Sequence, residues 1–361
     1  MRNILLALLL LANFIACKSA KDGTEKVVAT LDTTFVSKLF VNGEGNLSGG
    51  DGAISIPLSE NRSLFLWGDS FIGEVENNKR DTLSPLVVGN VFLDVDEKGV
   101  KTYCGGDTKH PTTWLLADSL DGHKTVLWPE HGFVKDGILH LFLANIVMPG
   151  KGTWDFYWHS LMYYRLSVDD FSVIDKKMIT SDEVGGIHLG FACMQEGDNI
   201  YTYGTKTVDG RTALYLAKTK LVDNKLSDFS YYSNGKWTAS PLEATVLSGK
   251  YTNVSEQFSV FKQGNKYILL TQERAGTNIY SYIADSMEGP WYNEKLLYVT
   301  PEPSENKNLI TYNAMAHHQY IKDDSLLICY SVNTLDFSLL YDDVSVYRPR
   351  FLRVKLNDLM N

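Results

Sequence analysis

One pattern recurs five times along the chain and limits what it can fold into. Each copy has a polar start, a short apolar run, a turn rich in Gly, Asn or Asp, and a second apolar run. The copies lie at 51–69, 130–145, 188–206, 256–273 and 313–333. Their turns are Glu60-Asn61, Asp136-Gly137, Gly197-Asp198, Gly264-Asn265 and Asp323-Asp324, residue types that tight hairpins select. A third apolar run follows each hairpin, at 86–95, 160–168, 213–221, 278–285 and 350–356. A fourth follows at 100–104, 173–179, 229–232 and 296–299. The fifth copy has no fourth run because the chain ends, and the segment 34–40 is the spare strand that would supply it. Sustained helical periodicity is lacking, so crossover helices for a parallel sheet are missing. The expectation is an all-β chain. A five-bladed β-propeller over 34–361, closed by an N-terminal strand in the last blade, leaves no open sheet edge. A β-sandwich or two small β domains is the competing layout.

The N-terminus has a short basic start and an apolar run from Ile4 to Ile15, too short to cross a bilayer. Cys17 follows a small residue. Residues 1–16 read as a signal peptide, Cys17 as a lipidated first residue resembling a bacterial lipobox, and 17–33 as a flexible tether. A lipid-anchored protein of the outer membrane or cell surface is expected, touching the membrane through that anchor alone. Cys104, Cys193 and Cys329 are odd in number and widely spaced, which suits buried free thiols rather than a metal site. A net charge of −9 with no basic stripe disfavours nucleic acid and points to a neutral ligand. A monomer is expected.

In a propeller blade the start of the first strand and the end of the second share one face. The starts here are Asp51, Glu130, His188, Glu256 and Asn313. The ends are Asp69, Asn145, Lys206, Glu273 with Arg274, and Asn333. Polar groups crowded around an axis need partners or a ligand, so this mouth is the candidate site. Glycoside hydrolysis needs two carboxyl groups flanking the scissile bond. Asp51, Glu130 and Glu256 are the first catalytic candidates, with Asp51 as base or nucleophile, Glu256 as acid and Glu130 as a positioning or tuning group. Asp69 and Glu273 are the reserves. Around them Trp128, His131, Asn145, His188, Lys206, Gln257, Arg274, Asn313, His317 and Asn333 are expected to bind substrate. Trp128, Trp154 and Tyr157 are candidate sugar platforms. No cofactor is expected, although His188, His317 or His318 would suit a central cation such as calcium.

The segments 50–58 and 64–73 resemble the opening blade of a group of secreted Bacteroidetes and actinobacterial proteins, one branch of which is endo-D-arabinofuranases. The run 284–291, ending Gly289-Pro290-Trp291, resembles a strand end of five-bladed arabinanases and β-xylosidases, and 347–351 resembles the closing strand of the first group. The resemblance implies a propeller and an extracytoplasmic glycoside hydrolase acting on a furanoside-containing or related polysaccharide. It places Asp51 at the first-blade base and Glu130 where an aspartate is usual. His188 stands where a glutamate acid is usual, which moves the expected acid to Glu256. A non-catalytic glycan-binding lipoprotein is the alternative. No sialidase aspartate box occurs, and only Lys206 and Arg274 offer themselves for a phosphate.

Replacing Cys17 tests the anchor. Cys17→Ser is expected to move the protein from the membrane fraction to the soluble one; unchanged fractionation would refute lipidation at this position.

Overall fold

A computed structural model of the chain describes residues 27–120, 122–150, 155–247, 249 and 254–361. Cys17, the signal segment and Trp154 lie outside the described residues. The fold is all-β. Sheet I runs Ile54–Ser59, Arg62–Trp67, Val91–Asp96 and Gly99–Tyr103. Sheet II runs Lys124–Lys135, Ile138–Met148, Tyr157–Ser167 and Val173–Thr180. Sheet III begins His188–Glu196, Asn199–Val208 and Arg211–Val222, followed by Ser230–Ser233 and Lys236–Thr238. Sheet IV runs Ser259–Gln263, Lys266–Gln272, Asn278–Ala284 and Tyr292–Val299. Sheet V runs Leu309–Lys322, Ser325–Thr334, Arg350–Lys355 and finally β1 (Thr30–Leu31). All strand pairings within these five sheets are antiparallel, and every expected hairpin turn falls between the strands that it was expected to join.

The turns show why those residues recur. Asp136 and Gly137, and likewise Asp323 and Asp324, all have positive φ, as a two-residue turn with both central residues left-handed requires. Gly197 and Gly264 have positive φ where only the first turn residue needs it. The first strand of each sheet touches that of the next, I on II, II on III, III on IV and IV on V, and that of V touches that of I. The apolar clusters lie between neighbouring sheets. One joins Phe65, Leu141 and Phe351 of sheets I, II and V, and others fill II–III, III–IV and IV–V.

The closing segment departs from expectation. Residues 34–40, expected as a strand, contain helix α1 (Phe35–Leu39). Asp32 starts it, because its Oδ1 accepts from the N–H groups of Thr34 and Phe35 and from the Thr34 hydroxyl. Phe35 and Leu39, four residues apart, are both buried, which is the helical rather than the strand period. The strand that pairs beside Arg350–Lys355 is β1, with Thr30 opposite Arg353 and Leu31 opposite Leu352. Residues 28 and 29, expected to lie in the tether, are docked on the folded part. The N–H groups of Val28 and Ala29 donate to the Leu297 carbonyl, and Ala29 is buried between sheets IV and V.

Phe35 packs its ring 4.8 Å from Phe351 and 5.0 Å from Tyr320. Phe35→Ala is expected to cost roughly 3–5 kcal/mol, read as a lower denaturant midpoint at unchanged slope. An unaltered midpoint would show that this segment does not brace sheet V.

Candidate functional site

Two short ladders meet beside the first hairpin. Strand β2 (Leu47–Gly50) pairs with β5 (Ser70–Ile72), Gly50 facing Ser70. Strands β3 (Ile54–Ser59) and β4 (Arg62–Trp67) pair with Ile54 facing Leu66. Asp51 and Asp69 fall between the ladders, one on each chain segment, and the Gly68 N–H donates to the Asp51 carbonyl at 2.9 Å. Gly68 is required there, since a β-carbon on it would sit 2.5 Å from Asp51 Oδ1.

Both carboxyl groups are half-buried and well supplied with donors. The Tyr312 hydroxyl donates to Asp51 Oδ2 at 2.7 Å, and the Tyr347 hydroxyl, close to this carboxyl, also favours its ionised form. Asn333 Nδ2 donates to the Tyr312 oxygen at 3.1 Å. Asp69 Oδ1 accepts from the Gly89 N–H at 3.0 Å and from Trp128 Nε1 at 3.2 Å. Burial raises the Asp51 carboxyl above its ordinary range, against the pull of the two tyrosines. Burial, and then the charge of Asp51, push Asp69 up to about 7. Burial thus opposes ionisation of both carboxyl groups, and the charge of Asp51 opposes that of Asp69 further. Burial and Asp51 hold the Tyr312 hydroxyl well above the usual tyrosine range, so it remains a donor.

A second group lies between sheets II and III. The strand that carries Trp128 to Asp69 carries Glu130 two residues on, and its ladder shifts register between Pro129 and Gly132. Glu130 is buried, and its Oε1 lies 2.5 Å from His188 Nε2, while Oε2 is buried with no partner among the described residues. Burial raises the Glu130 carboxyl above its ordinary range, His188 opposes this, and Glu256 adds to it. The Trp158 ring stacks on the His188 imidazole at 4.5 Å. The two groups are linked through sheets IV and V. Gln257 Nε2 donates to the Pro129 carbonyl at 3.2 Å, Asn313 Nδ2 donates to Gln257 Oε1 at 2.9 Å, and Asn313 follows Tyr312 in the chain.

The structure thus gathers Asp51, Asp69, Trp128, Glu130, His188, Gln257, Asn313 and Asn333, and reassigns other candidates. Glu256 is exposed and paired with Arg274 at 2.8 Å, so it lacks the desolvated setting that suits a general acid. Arg274 also donates to Thr212, which leaves it a structural tie. Lys206 caps the Gly185 carbonyl at 2.8 Å. His317 is wholly buried mid-strand, bonded to Ser55 at 2.7 Å and packed on Phe65 and Phe351, away from any mouth. Asn145 is buried and donates to Ser160. Glu273 makes its described contacts through its backbone, to Asn278 and Gly276. Burial and then His318 hold the His131 imidazole down at about 4, which keeps it neutral. Tyr157 is exposed. Among the described residues no group of three or more His, Cys, Asp or Glu side chains is placed to hold a metal ion. Cys193 and Cys329 are buried free thiols, and Cys104 is half-buried.

Tyr312 and Tyr347 were not among the expected site residues. Tyr312 directly precedes the candidate Asn313, and Tyr347 opens the Tyr347-Arg348-Pro349 motif, so a signal lay beside each.

A family model described as a domain of unknown function, DUF5005, matches residues 34–356. Among solved structures, a Bacteroides ovatus protein classed as a hydrolase superposes with a TM-score of 0.74 at 16% identity, covering 93% of both chains. That likeness shows the fold. A GH43_1 enzyme from Xanthomonas citri, solved with xylotriose, is 10% identical over 88% of this chain and 91% of its own, at a TM-score of 0.47. The RS223 β-xylosidase is 10% identical over 90% and 94%, also at 0.47. These two are too distant to carry an argument about chemistry. No curated protein matches the sequence.

Proposed function

The chain belongs to the DUF5005 family, and for it we propose a glycoside hydrolase whose five sheets form the blades of a β-propeller and whose Asp51–Asp69 pair performs acid–base chemistry at the axial mouth. The observation that carries this is the pairing of two half-buried carboxyl groups with raised proton affinities, each held by neutral donors instead of by a lysine or arginine. Hydrolysis of a glycosidic bond needs a carboxylic acid to protonate the leaving oxygen and a carboxylate to act as base or nucleophile. A pair sharing one proton supplies both states at once. The donors favour the carboxylate form of Asp51, which suits it as base or nucleophile, and leave Asp69 as the acid in place of the exposed Glu256. The cyclic contacts between first strands and the addition of β1 to sheet V support a closed five-bladed ring. The likeness of the opening motif to arabinofuranases supports a furanoside-containing polysaccharide as substrate. The Cys17 pattern supports an extracytoplasmic, lipid-anchored location.

Screening the protein lacking residues 1–16 against arabinan, arabinogalactan and other plant and bacterial polysaccharides tests this. On the polysaccharide that is cleaved, Asp51→Asn and Asp69→Asn are each expected to lower turnover by at least about 10²-fold with melting behaviour retained. A protein that binds polysaccharide yet cleaves none would be a glycan-binding protein instead.

A further inference from the structure

Asn333 reaches the carboxyl pair only through Tyr312. The two residues are diagonal neighbours on the first two strands of sheet V, because Tyr312 faces Ser331 and Asn333 lies two residues further along. Ser331 serves the same segment of sheet I, its Oγ accepting from the Gly52 N–H at 3.4 Å. The ladder shifts register between Tyr312 and Met315, and Asn313 inside that bulge has a φ of +55°. From this bulge Tyr312 extends to Asp51 beside sheet I, while Asn313 extends to Gln257 just before sheet IV.

The hydrogen bonds that end on Asp51 all run one way. The Thr334 N–H donates to Asn333 Oδ1 at 2.7 Å. That fixes the amide with its NH2 group toward Tyr312, and Nδ2 donates to the phenol oxygen at 3.1 Å. An amide NH2 donates and does not accept. The phenol has one hydrogen, so it is directed to Asp51 Oδ2, 2.7 Å away. Asp51 thus meets a donor at the end of the chain, and a donor favours the ionised carboxylate. With Asn333 gone, the phenol oxygen loses its donor and the hydroxyl is free to turn to other acceptors. The titratable groups that face Asp51 are Asp69 from sheet I, Tyr312 from sheet V, and Tyr347 from the segment before the third strand of sheet V.

Resting on the reading of Asp51 and Asp69 as an acid–base pair, we propose that Asn333 is a positioning residue that aims the single Tyr312 hydrogen at Asp51 and so holds Asp51 in the carboxylate role.

Carbon-13 titration of Asp51 in the substrate-free protein tests this. Asn333→Ala is expected to raise the Asp51 midpoint, and Tyr312→Phe to raise it further. In the Tyr312→Phe background the same Asn333→Ala change is expected to move nothing, because its route to Asp51 is gone. Asn333→Asp keeps the oxygen that accepts from Thr334 and puts an acceptor where the donor was. It serves if Asn333→Ala does not fold, and its upward shift is expected to be smaller in the Tyr312→Phe background. On a polysaccharide that is cleaved, Asn333→Ala is expected to move the acidic limb of the kcat/KM profile to higher pH, with roughly a 2- to 10-fold loss below that limb. An Asp51 midpoint that the Asn333 variant leaves in place, or moves equally with and without the Tyr312 hydroxyl, would overturn the proposal. Retained cleavage beside such a result would leave the hydrolase reading standing. A wild-type protein that cleaves nothing would refute that reading, while the titration would still decide whether Asn333 acts on Asp51 through Tyr312.

Discussion

The contact on which the site depends is a backbone one. The Gly68 N–H meets the Asp51 carbonyl where two antiparallel ladders abut, and no side chain fits at Gly68 without striking the Asp51 carboxyl. That closeness forces Asp51 and Asp69 together. From it follows the action of the Asp51 charge on Asp69, which adds to the effect of burial. A hydrogen bond between segments seventeen residues apart thereby brings the two aspartates of the candidate site together.

Other parts of the fold hold this contact in place. The Ser48 carbonyl, three residues before Asp51, accepts from Arg80 Nη2 at 2.9 Å and from Arg348 Nε at 2.8 Å. Arg80 also donates to the carbonyls of Leu340 and Val344, and stacks over Phe71 at 4.9 Å. Burial brings both guanidinium groups down to about 10, still charged at neutral pH. The arginines thus tie strand β2, just before Asp51, to the segment that carries Tyr347, one of the two tyrosines that favour its ionised form. Sheet V supplies the other, so Asp51 is fixed only when the last sheet stands against the first. This connects β1 and α1, which brace the outer side of sheet V, to the candidate site at its inner side.

Much of this was legible in the sequence because hairpins constrain residue type strongly. Two left-handed turn residues in a row admit few alternatives to Asp, Asn and Gly, so Asp136-Gly137 and Asp323-Asp324 located two hairpins unaided. The apolar alternation on either side located their strands. The segment 34–40 was misread because five residues hold too little periodicity to separate strand from helix, and its deciding feature, the Asp32 side chain, caps from outside the apolar run. Asp51, Glu130 and Glu256 were all expected at the starts of inner strands, but Asp51 precedes the strand that begins at Ile54, Glu130 lies inside Lys124–Lys135 and Glu256 precedes the strand that begins at Ser259, and their exposure was not readable at all. Burial of Glu130 and exposure of Glu256 depend on how neighbouring sheets cover them. Asp69 ranked as a reserve because its proximity to Asp51 rests on the Gly50–Ser70 register, and the tyrosine partners of Asp51 lie 261 and more residues away in the chain.

The raised proton affinity of Asp69 beside Asp51 is the central claim, and titration of Asp69 tests it most directly. With carbon-13 placed in aspartate side chains, the Asp69 carboxyl is expected to titrate near 7 in the wild type, against an ordinary 3.8, and to fall part of the way back in Asp51→Asn, because burial, the larger cause, remains. The sign carries over to stability. A carboxyl whose folded value lies above its unfolded one stabilises the protein fully below about pH 4, and that contribution is lost as pH rises through about 7. Wild type should therefore lose stability relative to Asp69→Asn over this interval. An Asp69 midpoint near 4 in both proteins, with no difference in the pH dependence of unfolding, would contradict the account.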